Sequence, residues 1–343
     1  MRNGVLSAVA ALASISALFT APGQAQDWAK ANLAKSPRHG EFVTIEEPGG
    51  RKLQAWVVYP ESKEKTPVVV MIHEVFGLTD WAREMADELA GAGYIVVEPD
   101  LLSGLGPVGS ASAPVVPRAH GPQESTPGSG KALPGTGCDP MPCSAGQKPS
   151  GANSSAHSED HTHTQMAGAG TGAPYVQVQP GGTAAFPDQG SVTRAVSSLP
   201  DPQVLADLDA AADYGKGLAA SNGKTFVAGF CWGGGKSFLF ATHRTDLSGA
   251  FVFYGPPPAD SLMTNITAPV YGFYAGNDAR ITSTVEPTKA AMKAAGKTYE
   301  PVVYDGAGHG FMRAGEAPDA SAANTNARRE GFQRLVKLLG GVH

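Results

Sequence analysis

Lys224-Thr225-Phe226-Val227-Ala228-Gly229-Phe230-Cys231-Trp232-Gly233-Gly234-Gly235 is the stretch on which the reading of this chain turns. Its first half, as far as Phe230, is an apolar, β-branched and aromatic run that predicts a strand. From Gly233 to about His243 a helix is expected. Gly229-Phe230-Cys231-Trp232-Gly233 must join the two in a sharp turn. Such a turn strains the backbone of its apex residue, and glycines on both sides give the room it needs. The apex side chain is lifted above the sheet, at the start of the next helix. There the helix dipole favours a thiolate over a thiol. The G-x-C-x-G pattern alone is weak, but between a strand and a helix it reads as a nucleophile elbow. The competing reading is a buried structural cysteine in a glycine-rich turn.

Outward from the elbow, strands alternate with helices. Phe42–Glu46 and Leu53–Tyr59 predict an antiparallel pair around Pro48-Gly49-Gly50. Pro67–Ile72 is continuously apolar, as a strand buried on both faces should be. Thr79 is positioned to cap a helix whose Trp81, Met85 and Leu89 share a face, with Gly91 and Gly93 ending it. Tyr94–Val97 follows as a strand. Asp201 and Pro202 predict a helix start with Asp201 as cap, and Val204, Leu208 and Ala211 its buried face. Ala250–Tyr254, Val270–Tyr274 and Pro301–Tyr304 are further strands. Glu286–Ala295 and a terminal segment carrying Phe332, Leu335, Val336 and Leu339 are helical. The class is α/β, with a mostly parallel sheet flanked by helices.

Composition bounds the rest. The 343 residues would suggest two domains, but Gly and Pro are concentrated in Ser103–Gly190, which holds 16 Gly and 12 Pro in 88 residues. That composition predicts a flexible, low-complexity insert at about 103–190, not a second core. Residues 1–25 read as a secretory signal: Arg2, an apolar run from Val5 to Phe19, and Gly23-Gln24-Ala25 at the cleavage site. Residues 26–343 are then one interrupted domain, periplasmic or secreted, with no membrane attachment after cleavage. The net charge of −5 argues against a nucleic-acid partner. A monomer is left open.

In an oxidising compartment the three cysteines leave one thiol over. Cys138 and Cys143 are close enough for a local disulfide, and Cys231 would stay free. His157, Glu159, Asp160, His161 and His163 have the composition of a loose chelator but not the spacing of a built metal site. No metal or cofactor is assigned.

A cysteine nucleophile needs a base, and the base needs an orienting carboxylate. Asp278 follows the strand Val270–Tyr274 through Ala275-Gly276-Asn277. His309 sits in Gly306-Ala307-Gly308-His309-Gly310, just after the last strand. Both fall at carboxyl ends of strands, where open α/β sheets bind ligands. The order nucleophile, acid, histidine is the α/β-hydrolase order.

At these residues the chain resembles the dienelactone hydrolase family of α/β-hydrolases. The matching pieces are Ile72-His73-Glu74-Val75-Phe76-Gly77, Glu98-Pro99-Asp100-Leu101, Gly229-Phe230-Cys231-Trp232-Gly233-Gly234, Gly276-Asn277-Asp278 and Gly308-His309-Gly310-Phe311-Met312-Arg313. The resemblance implies an α/β-hydrolase fold and hydrolysis of a small-molecule lactone or ester; family members open dienelactones to maleylacetate. It implies Cys231 as nucleophile, His309 as base and Asp278 as orienter. Glu74 would hydrogen-bond the resting thiol and help form the thiolate, and the N–H groups of Trp232 and Val75 would form the oxyanion hole. Arg313 would hold a substrate carboxylate. For the family's second, upstream arginine Arg194 is the nearest candidate, and no tyrosine follows it closely. The other readings are a generic carboxylesterase of the same fold and a non-catalytic extracytoplasmic binding protein with a metal-binding His-rich loop.

Overall fold

The computed structural model of the chain describes residues 26–108 and 175–341. The expected signal at 1–25, the Cys138/Cys143 pair and the histidine cluster at 157–163 lie outside them. The central sheet contains β1 (Gly40–Glu46), β2 (Lys52–Val58), β3 (Thr66–Ile72), β4 (Ile95–Pro99), β7 (Ser221–Phe230), β8 (Gly249–Phe253), β9 (Val270–Ala275) and β10 (Tyr299–Tyr304). Their order is β1-β2-β4-β3-β7-β8-β9-β10. β2 runs antiparallel to both of its neighbours, and every pair from β4 to β10 is parallel. The expected α/β class with a mostly parallel sheet is the observed one.

The apolar runs of the parallel strands follow from burial on both faces. In β3, Val68, Val70 and Ile72 join one core, while Val69 and Met71 join the other. The first core lies under α4 (Asp201–Gly217), α5 (Trp232–His243) and α7 (Val285–Ala294). The second lies under α1 (Asp27–Leu33), α2 (Asp80–Gly91) and α9 (Ala322–Gly341). Trp81, Met85 and Leu89 are buried on one face of α2, and Thr79 accepts a hydrogen bond from Ala82 N at its start. Asp201 is the first residue of α4 rather than its cap, which is Pro200; its carboxylate pairs with Lys236 instead.

The ends of the expected insert belong to the fold. β5 (Ser103–Pro107) pairs antiparallel with β6 (Tyr175–Gly181), and α3 (Gln189–Ser197) starts at Asp188, which accepts from Ser191 N at 2.8 Å. Ser103, the expected start of the insert, is wholly buried. Its Oγ accepts from Gln54 N at 2.8 Å and donates to Asp100 O. Composition misplaced this boundary because Gly, Ser and Pro serve a short paired strand as readily as a loop. Asp100, at the end of β4, accepts from Thr183 N at 2.7 Å and from Thr183 Oγ1 at 2.8 Å. Thr183 Oγ1 in turn accepts from Leu78 N at 3.1 Å. The returning chain is thereby fastened to the loop after β3, which carries Glu74 and Val75.

Candidate active site

Cys231 has φ 57° and ψ −117°, left-handed values that a residue with a Cβ rarely adopts. Such strain costs on the order of 1–3 kcal/mol and survives only where the surroundings enforce it. Here backbone approaches backbone. A Cβ at Gly229 would collide with the Gly233 carbonyl, and one at Gly233 with the carbonyls of Ile72 and His73. Cys231 N donates to Phe253 O at 3.0 Å, which ties the apex to β8. The glycines flanking the cysteine are therefore packing requirements of the turn.

Cys231 Sγ lies 3.1 Å from His309 Nε2, and His309 Nδ1 lies 2.6 Å from Asp278 Oδ2. An acceptor carboxylate at Nδ1 places the ring hydrogen there and leaves Nε2 facing the sulfur as an acceptor. Asp278 is buried and His309 about one-third exposed. The Gly276-Asn277-Asp278 segment is zipped to the segment before His309. Gly276 N donates to Tyr304 O and Asn277 N to Ala307 O, both at 2.9 Å, and Asn277 Nδ2 donates to Gly306 O at 3.0 Å. Gly308 N donates to Asn324 Oδ1 of α9 at 2.9 Å. Two loops 30 residues apart are thus fixed relative to each other.

Glu74 differs from its expected place. Its buried carboxylate accepts from Arg313 Nε at 2.7 Å, and the hydrogen-bond partner of the Cys231 thiol is His309. A buried carboxylate needs a cation, and Arg313, on α8 (Phe311–Ala314), supplies it while lying 5.0 Å over the Phe76 ring. Burial opposes the guanidinium charge, but Glu74 more than offsets it, so Arg313 lies above its ordinary pKa. The thiol is pushed up, first by burial and then by the Glu74 charge. The N–H groups of Trp232 and Val75 and the charge of Arg280 pull it the other way without prevailing. Against the expectation from the helix terminus, the surroundings favour the thiol over the thiolate.

Neither Val75 N nor Trp232 N donates to a backbone carbonyl among the described residues, and both act on Cys231 Sγ. His73 is wholly buried. Its Nδ1 donates to Glu74 O at 2.7 Å, and its ring stacks on Trp232 at 6.0 Å and 13°. It therefore braces the Glu74-Val75 segment against the start of α5. Tyr254, with φ 41°, lies edge-on to His309 at 5.1 Å. Arg194 is not brought to the site: it is exposed on α3, with Asp188 as its neighbouring charge. Arg280, two residues beyond Asp278, is the cation that acts on the thiol from the solvent side. Sequence reasoning missed Arg280, Tyr254 and the bracing role of His73; only the position of each next to a strand end pointed to them. Among the described residues no three His, Cys, Asp or Glu side chains converge to hold a metal, and no helix is long and apolar enough to cross a membrane.

This geometry has counterparts in known proteins. A Methylorubrum extorquens protein named "Putative carboxymethylenebutenolidase" is 36% identical over 156 residues, 42% of this chain and 52% of that one. A protein of the same name from Saccharolobus solfataricus is 23% identical over 304 residues, covering 85% of this chain and 95% of that one. The chain spans about half the length of the first curated relatives it matches. Among solved structures, a Klebsiella pneumoniae protein titled "Putative Dienelactone Hydrolase" aligns over 89% of this chain and 99% of its own, with TM-score 0.59 and 22% identity. The dienelactone hydrolase-like promiscuous phosphotriesterase P91, from metagenomic libraries, aligns with TM-score 0.56 and 15% identity over 89% of this chain and 98% of its own. At these identities the two structures show the shared α/β-hydrolase fold. The family model for dienelactone hydrolases matches residues 53–136 and 147–342, a span that takes in the elbow, Asp278, His309, Glu74 and Arg313. With most of its length matched and the family's motifs folded around one cysteine, this chain belongs to the dienelactone hydrolase family.

Proposed function

We propose that the protein hydrolyses a lactone or carboxylic ester, with Cys231 as nucleophile, His309 as base and Asp278 as orienter. The observation that carries this is the unbroken line from Asp278 Oδ2 through His309 to Cys231 Sγ at the carboxyl ends of the parallel strands. His309 Nε2 takes the thiol proton as sulfur attacks the carbonyl carbon. The carbonyl π pair moves to oxygen, where the N–H groups of Val75 and Trp232 receive it. Collapse breaks the carbon–oxygen bond, and the leaving oxygen takes the proton from His309. Water, deprotonated by His309, then attacks the thioester carbon, and as the carbon–sulfur bond breaks the leaving sulfur takes that proton back from His309, restoring the thiol.

The Glu74–Arg313 pair gives this site a trigger. A substrate carboxylate that competes for Arg313 releases Glu74 beside a thiol whose surroundings disfavour the thiolate. A second reading, a carboxylesterase with no preference for anionic substrates, is favoured by the exposed position of Arg194, which leaves Arg313 without a second arginine from α3. The charged start and apolar run of residues 1–25 support an extracytoplasmic location.

Dienelactones, simple lactones and p-nitrophenyl esters, tried on wild type and Cys231→Ala, test the reading. Turnover should vanish in Cys231→Ala while the circular dichroism spectrum is unchanged; full turnover in that variant rejects the mechanism. A wild-type preference for carboxylate-bearing substrates favours the lactonase, and its absence the esterase.

A further inference from the structure

α5 begins at Trp232, next to the nucleophile. Trp232, Gly235, Lys236 and Leu239 follow at i, i+3, i+4 and i+7, so they share one face of the helix. Opposite that face runs Pro256-Pro257-Pro258-Ala259, the segment leaving β8, followed by Leu262 in the 3₁₀ turn Asp260–Asn265. The two sides enclose a cavity of about 330 Å³, at the small end of the range for small-molecule sites. Three consecutive prolines stiffen one wall, because each fixes its own φ. Gly235 lets the walls approach: a Cβ there would lie 3.0 Å from Pro256 Cδ.

The lining is mostly apolar, and its two charges are already matched. Lys236 pairs with Asp201 and lies 5.1 Å over the Trp232 ring. An anionic group entering the cavity would have to break that pair, whereas an uncharged one leaves it intact. The wall nearest the chemistry is Trp232, whose own N–H faces Cys231 Sγ. A group seated against the Trp232 ring therefore touches the residue that follows Cys231 in the chain.

We propose that this cavity is the subsite for an uncharged apolar group of the ester, an aryl or branched or extended alkyl arm. The inference rests on the reading of Cys231 as nucleophile. It sets a substrate class: an ester with an apolar arm, not one that is polar throughout. The arm belongs to either the acyl or the alcohol side, and the two sources are separated by the test.

Leu262→Trp fills the cavity from the wall away from Cys231, and Leu239→Trp fills it from the helix. Each is assayed on methyl acetate against methyl hexanoate, and on methyl acetate against benzyl acetate. Both variants should keep kcat/KM for methyl acetate within about twofold and lose about tenfold or more on one larger ester, as expected when a pocket rejects several carbon atoms. Loss on the hexanoate assigns the arm to the acyl side, and loss on the benzyl ester to the alcohol side. Equal loss on small and large esters, or no loss on either, overturns the proposal. Binding of hexanoate and benzyl alcohol to Cys231→Ala, followed by saturation-transfer NMR, separates this from the nucleophile reading. At least one should bind, and Leu262→Trp in the same background should abolish it. If Cys231→Ala keeps its turnover but the binding is lost on filling, the nucleophile assignment fails and the cavity stands; if neither compound binds, the cavity assignment fails.

Discussion

Glu74 and Arg313 are 239 positions apart in the chain and meet at 2.7 Å, Oε2 to Nε, beside the Cys231 thiol. Burial first, and the Glu74 charge after it, discourage the sulfur from ionising. A thiol protected in this way resists stray electrophiles and oxidants, because the thiolate is the reactive form.

Glu74→Gln should therefore separate reactivity from turnover. With the carboxylate charge gone and Arg313 uncompensated, the Cys231 pKa falls from its raised value. Each unit of fall gives about tenfold more thiolate below the pKa. Alkylation of Cys231 by iodoacetamide near neutral pH should become at least severalfold faster, while ester hydrolysis slows. Mass mapping of the Cys231 peptide over time measures the first and a substrate assay the second. Unchanged or slower alkylation would show that Glu74 does not restrain the thiol.

Thr183 holds two things at once: it donates to Asp100 Oδ1 at 2.8 Å and accepts from Leu78 N at 3.1 Å. Thr183→Val keeps the shape and removes both bonds. Loss of a donor to a part-buried carboxylate costs about 1–3 kcal/mol, which urea unfolding will show. The freed loop also carries Val75, so kcat/KM for esters should fall. A stability loss with undiminished kcat/KM would mean that the stem does not position the loop.

The residues legible in the sequence were those whose local pattern is itself the structural cause. Gly229 and Gly233 are where backbone meets backbone, so the elbow could be read from five residues. Asp278 and His309 follow strand ends, and alternation of apolar runs located those ends. Long-range pairing was not legible. Nothing in the pattern around Glu74 says that Arg313 and not the thiol will be its partner. The place of Arg194 in the order of the chain suggests a site arginine, but its position depends on which face of α3 points outward. Ser103 reads as loop from composition, and its burial against Gln54 and Asp100 is a tertiary fact.

Glu98 lies in the middle of the sheet, on β4 opposite Trp56, with no exposed surface. Neither carboxylate oxygen has a hydrogen-bond partner among the described residues. Burial first, and the nearby Asp100 charge after it, push its pKa well above the ordinary value; the Arg83 charge opposes this without prevailing. The folded protein therefore holds a proton that the unfolded chain releases. The sign follows: this group's contribution to stability is fully present below the ordinary glutamate range and is lost as pH rises towards the folded value. One such proton changes stability by at most about 1.4 kcal/mol per pH unit. Glu98→Gln is isosteric and permanently neutral, so its stability should decline less steeply than that of wild type as pH rises above the ordinary glutamate range. Urea unfolding at several pH values measures both slopes. Parallel slopes would mean that Glu98 is ionised in the folded protein, and that a partner for its charge must exist.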